Sequence, residues 1–98
     1  MMIDLPDKTS IEMGFSRLEF NTLLHAQTAM SFTADGDEVV FFYAGGEIKV
    51  CLGEDDFRRI ASWKIPKMKV DLDFTNLADV SRRPFMKVLL KTFLKGGG

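Results

Sequence analysis

The chain has 98 residues, 46% of them hydrophobic and 28% charged, with a formal net charge of −1. That length suits a single domain, and the composition excludes a disordered tail or a coiled coil. One cysteine, Cys51, excludes an intramolecular disulfide and a cysteine-only zinc site, and no apolar run reaches the roughly 18 residues that cross a bilayer.

Residues 1–9 are expected to be irregular, because Pro6 discourages an early helix. The amino end, M-M-I-D-L-P-D-K, holds two acids and no apolar stretch, unlike a secretion signal. Residues 10–15 read equally as a short strand or a lead-in turn. Ser16-Arg17-Leu18-Glu19 then has the spacing of a capping box, in which serine and glutamate each satisfy a free amide at a helix start. A helix over 17–28 follows. Phe20, Leu23 and Leu24 make its apolar face, and Arg17, Asn21, His25 and Thr28 its polar stripe.

Asp35-Gly36 and Gly45-Gly46 are tight-turn pairs flanking V-V-F-F-Y-A, which predicts a three-stranded meander over 30–34, 38–44 and 47–52. A two-residue loop at 45–46 pairs Tyr43 with Ile48, Phe41 with Val50 and Val39 with Leu52. Met30, Phe32, Val39, Phe41, Tyr43, Ile48, Val50 and Leu52 then share a core face. The opposite face is polar at its margins, with Val40, Phe42 and Cys51 clustered between.

Residues 54–63 are predicted to be a second helix, with Glu54, Asp55 and Asp56 in its first turn, where acids complement the helix dipole. Pro66 ends it. Met68, Val70, Leu72 and Phe74 then alternate with Lys67, Lys69, Asp71 and Asp73 as a fourth strand. A last helical region begins after Thr75 or Asn76, restarts at Pro84 and stops at the irregular Gly96-Gly97-Gly98. The expected fold is one two-layer α+β domain over 1–98. It has a four-stranded, mainly antiparallel sheet and about three helices in the order α-β-β-β-α-β-α. This order is similar to that of small secretion chaperones, and its first five elements to those of double-stranded-RNA-binding domains.

No motif of catalysis stands out. His25 lies on a polar helix stripe and Cys51 among apolar strand neighbours, so neither reads as a nucleophile or base. The acidic groups at 35–38, 54–56 and 71–73 lack the ligand ladder of a metal site, and there is no phosphate-binding glycine loop. The chain is expected to be no enzyme and to carry no metal, cofactor or small-molecule substrate.

Charge and surplus apolar surface carry the functional expectation. Residues 1–56 hold three basic against eleven acidic side chains, and residues 57–98 hold ten against three. The final helix has two apolar rows, Phe85, Leu89, Phe93 and Met86, Leu90, Leu94, beside a stripe of Arg83, Lys87, Lys91 and Lys95. One row suffices to meet a core, so Met86, Leu90 and Leu94, with Val40 and Phe42 outside the sheet, are the expected partner-binding residues. The leading expectation is a cytoplasmic, non-catalytic protein-binding module of adaptor, chaperone-like or regulatory kind. It would pair with itself or another protein rather than a membrane. The alternative is a nucleic-acid-binding module. It would use Arg58, Arg59, Lys64, Lys67, Lys69, Arg82, Arg83, Lys87, Lys91 and Lys95 on phosphates, with Trp63 for stacking.

Overall fold

Phe41 and its alternate neighbours dictate where the core lies, and the helices settle against that side of the sheet. The computed structural model describes residues 5–94. It contains β1 (Lys8–Met13), α1 (Arg17–Ala26), β2 (Ser31–Asp35), β3 (Glu38–Tyr43), β4 (Gly46–Ile60), β5 (Trp63–Asp73) and α2 (Asp79–Leu94). The five strands form one antiparallel sheet in the order β1-β5-β4-β3-β2. Residues 8–13 are therefore an edge strand, of which 8–9 were expected to be irregular and 10–13 were left open between strand and turn. The remaining expectations for residues 1–4 and 95–98 lie outside the described residues.

The expected four strands and three helices are thus corrected to five strands and two helices, in the order β-α-β-β-β-β-α. The second helix is absent: residues 54–60 continue β4 and turn at Ala61-Ser62 into β5. Its acidic signal belongs to a different helix. Asp55 sits opposite the start of α1, and its Oδ1 accepts the Arg17 N–H at 2.7 Å, an anion placed at a helix N-terminus. Pro66 does not end the element but lies inside β5, opposite Phe57. It is tolerated because β1 pairs with β5 only from Met68 onward, leaving Pro66 on a free edge. With that helix gone, the similarities to secretion chaperones and double-stranded-RNA-binding domains fall as well. Pro84 likewise interrupts nothing: α2 runs through it from Asp79.

The meander has the expected faces in a shifted register. Tyr43 pairs with Gly46, Phe41 with Ile48 and Val39 with Val50, because Ala44 and Gly45, both at positive φ, form the turn. Gly46 instead opens β4 against the 74–78 loop, where an added Cβ would lie 2.6 Å from the Asn76 carbonyl oxygen. A shift of two residues leaves every side chain on its original face. Met30, Val39, Phe41, Ile48, Val50 and Leu52 are buried, joined by Met68, Val70, Leu72 and Phe74.

Both helices cover this inner face. Phe20 of α1 stacks on Phe93 of α2 with centroids 4.6 Å apart, and Phe85, Leu89 and Phe93 are fully buried, as the α2 row spacing predicted. The α1 capping box is present: Ser16 Oγ accepts the Glu19 N–H at 3.1 Å, and Glu19 Oε1 accepts the Ser16 N–H at 2.9 Å. Ser16→Ala should therefore cost about 0.5–2 kcal/mol in urea unfolding, the usual loss for an N-cap.

Candidate functional site

The other face of the sheet is bare, and that follows from alternation. Side chains two apart share a face, so the residues between the core positions project outward. Among the described residues no helix or loop lies over them. Across β3, β4, β5 and β1 they form rows: Val40, Lys49, Asp73 and Lys8 in one, Glu38, Cys51, Asp71 and Ser10 in the next. Cys51 is exposed and faces Glu38 and Asp71 rather than the expected Val40 and Phe42, a consequence of the register shift.

This middle region is internally compensated. Ser10 Oγ donates to Asp71 Oδ1 at 2.5 Å, and Lys69 Nζ lies 4.0 Å from the same carboxylate. Asp73 receives the Thr75 hydroxyl at 2.6 Å and the Thr75 N–H at 2.9 Å. Those two bonds, with help from Lys8 and Lys49, hold its carboxyl below the usual aspartate value.

Beyond the middle, β4 and β5 leave the sheet. β3 pairs with β4 only from Gly46 to Cys51, and β1 pairs with β5 only from Met68 to Asp73. From Asp55 to Lys67 the hairpin therefore pairs with itself alone and projects as a two-stranded arm. A bulge between Leu52 and Asp55 marks its root. There Gly53 passes so close to β5 that a Cβ would lie 2.8 Å from the Lys69 carbonyl oxygen. The arm's outward face carries Arg58, Ile60, Trp63, Ile65 and Lys67; its helix-side face carries Phe57, Arg59 and Lys64. Trp63 is 72% exposed, Ile60 50%, Phe57 48% and Ile65 40%. Lys64 Nζ lies 4.3 Å from the Phe57 ring centroid, a cation–π contact.

The residues singled out from sequence fall in three places. Val40 and Phe42 are on the bare face, half-buried and 42% exposed respectively. On α2, Met86 is half-buried against the core and Leu90 is 36% exposed. The Leu94 side chain and Lys95 lie outside the described residues. Among the basic residues, Arg58, Arg59, Lys64 and Lys67 are on the arm and Lys69 is on β5 just beyond it. Arg83, Lys87 and Lys91 are exposed on α2, on the opposite side of the sheet from the bare face. They do not make one continuous surface. Arg82 is 6% exposed and committed inward, to backbone carbonyls and to Asp7 and Asp79.

His25 Nδ1 lies 2.9 Å from the Asn21 carbonyl oxygen, and its ring meets Phe32 edge-on. Among the described residues no three His, Cys, Asp or Glu side chains converge as a metal site would require. No described helix is long and apolar enough to cross a membrane. Comparison with protein-family models, curated proteins and solved structures gives no match.

Ile60, Trp63 and Ile65 were missed from sequence as a surface. The signal was there in reversed phase: odd positions are apolar over 63–65 and even positions over 68–74. A strand that carries apolar residues outward at one end and inward at the other breaks the alternation used to find it.

Proposed function

We propose that this chain is a non-catalytic protein-binding module of adaptor, chaperone-like or regulatory kind, whose contact surface is the bare sheet face and its projecting arm. One observation carries the reading: Trp63, Ile60 and Ile65 stand together in solvent at the end of an otherwise ordered hairpin. Burying such area gains roughly 25 cal/mol per Å², so a cluster of large apolar groups on a projection is best accounted for by a partner that covers it. Trp is also among the residues most often found at the energetic centre of protein interfaces. An exposed, unpaired Cys51 suits a reducing compartment, which supports a cytoplasmic location.

A nucleic-acid reading keeps one observation in its favour: residues 57–70 contain five cations and no acid. It is the weaker reading because Arg58 is ion-paired with Glu12, and Lys67 lies 3.9 Å from Glu12 and 3.8 Å from Asp56. Those cations already have counter-charges. A photo-crosslinking amino acid at position 63, expressed in the native host, separates the two. Adducts to protein are the expected result; adducts confined to nucleic acid would overturn the proposal.

A further inference from the structure

Along the arm β4 has a free edge, and the charges on it run in a symmetric order. β3 pairs with β4 only as far as Cys51, and the Asp37 carbonyl, which accepts the Leu52 N–H at 2.8 Å, ends that cover. From Asp55 to Ile60, β4 pairs with β5 alone. Phe57 shows which backbone groups face out. Pro66 opposite it has no N–H to give, and the Phe57 N–H is held at 2.8 Å by the Asp56 carboxylate rather than by a strand. In an antiparallel ladder the groups facing one edge recur every second residue, so Asp55, Phe57 and Arg59 present N–H and C=O to the open edge. Their side chains share the helix-side face; those of Asp56 and Arg58 share the outward face. The edge reads Asp55-Asp56-Phe57-Arg58-Arg59, which reverses sign about Phe57.

We infer that this edge pairs with the same edge of a second copy of the chain, antiparallel about a two-fold axis at Phe57, so that the two arms form one four-stranded ribbon. Edge strands that stay single often carry charge that repels a second copy; here the sign reversal makes the charge attractive. Phe57 meets Phe57, Asp55 meets Arg59 and Asp56 meets Arg58, each pair on one face and made twice, as an isologous contact requires. The register is specified too. Because alternate residues face the edge, the strands can slip only in steps that change the Phe57 pairing by two. One such slip sets Asp56 against Asp56, the other Arg58 against Arg58, and like charges directly opposed are destabilising. The single chain holds these groups ready. Arg59 is exposed with no ion pair among the described residues, and Phe57 is 48% exposed. Asp55 spends one oxygen on the Arg17 N–H and keeps the other for Arg59. Arg58, already held by Glu12, gains Asp56 of the second copy as a further carboxylate. The pairing adds about six backbone hydrogen bonds, two for each facing pair. So narrow a contact lies at the weak end of specific interfaces. Trp63, Ile60 and Ile65 remain uncovered on the outward face of the ribbon, so the pairing is separate from the protein contact proposed above.

Sedimentation equilibrium of the full chain over about 1–500 μM reads the association, and a mass rising towards twice 11.1 kDa is expected. Arg59→Asp opposes two carboxylates at each end of the contact. It should weaken association at least tenfold while leaving the melting temperature of the dilute chain unchanged. Disulfide trapping then reads the register. In a Cys51→Ser background, oxidised glutathione should join Phe57→Cys chains at least tenfold faster than Arg59→Cys chains. Facing residues at the axis have Cα atoms about 5.5 Å apart, within disulfide reach, whereas the two positions 59 lie four residues apart along the edge, roughly 13 Å. A chain that stays monomeric over the whole range would overturn the inference. So would equal trapping at positions 57 and 59, or an Arg59→Asp chain that associates as tightly as the unaltered one. None of these outcomes touches the protein-binding reading, which is decided by what position 63 crosslinks.

Discussion

Phe41→Ala should lower the unfolding free energy by about 3–5 kcal/mol, the usual cost of deleting a core aromatic ring. Phe41 is fully buried on β3, and its ring sits 5.8 Å from that of Phe85, 6.2 Å from Phe32 and 6.5 Å from Phe93, centroid to centroid. It therefore touches α2 from the sheet and helps to fix the distance between the layers. Truncation removes the transfer energy of the ring and leaves a cavity that neighbouring rings, locked by the sheet and by the Phe20–Phe93 stack, cannot fill. Urea unfolding followed by circular dichroism measures it. A loss below about 1 kcal/mol would mean that the inner and outer faces of the meander are reversed.

That face assignment was legible in the sequence because it needs only a period of two, which survives errors in register. The turn at Ala44-Gly45 rather than Gly45-Gly46 moved every pair by two and no side chain across the sheet. The α1 cap was legible for a similar reason. Its two hydrogen bonds are made within four residues of chain, so spacing alone specifies them.

The arm was not legible, and the causes are physical. Phe57, Ile60 and Ala61 satisfy a helical period and not a strand's alternation, and three acids in front of them added to the helix signal. Asp55 was at a helix start, but of a helix 38 residues earlier in the chain. Only tertiary structure brings that N-terminus to it. Local sequence likewise could not show that β1 stops pairing at Met68, which is what frees the edge where Pro66 lies. Each ambiguity favoured the more local explanation, and the long-range one prevailed. The candidate surface was half legible for the same reason: Val40 and Phe42 were found from the meander, while Ile60, Trp63 and Ile65 depended on knowing that residues 54–60 are extended.

Arg82 is the remaining place where a local reading and the folded chain diverge, and its replacement should be among the costliest on α2. By composition it belongs with the cations of the second half. In the structure its Nε donates to the Leu77 carbonyl at 3.2 Å and its Nη1 to the Leu5 carbonyl at 3.0 Å. Its guanidinium also meets Asp7 at 2.9 Å and Asp79 at 3.3 Å, and lies 6.0 Å from the Phe74 ring centroid. One side chain thus ties the segment before β1 to the loop before α2 and to the first turn of that helix. The two carboxylates are largely exposed and can return to water, so the cost falls chiefly on the two carbonyls left without donors and on the lost packing of the stem. Arg82→Ala should lose about 2–4 kcal/mol in urea unfolding. Arg82→Met keeps most of the stem and should lose less. Arg82→Lys should also fall short of wild type, because an ammonium cannot span four acceptors as the planar fork does. The Phe74 amide, which donates to the Asp7 carbonyl at 2.6 Å, should exchange its hydrogen faster in all three variants, since the segment it binds has lost its anchor. An Arg82→Ala chain within about 0.5 kcal/mol of wild type, with Phe74 exchange unchanged, would return Arg82 to the surface cations and disprove the anchoring role.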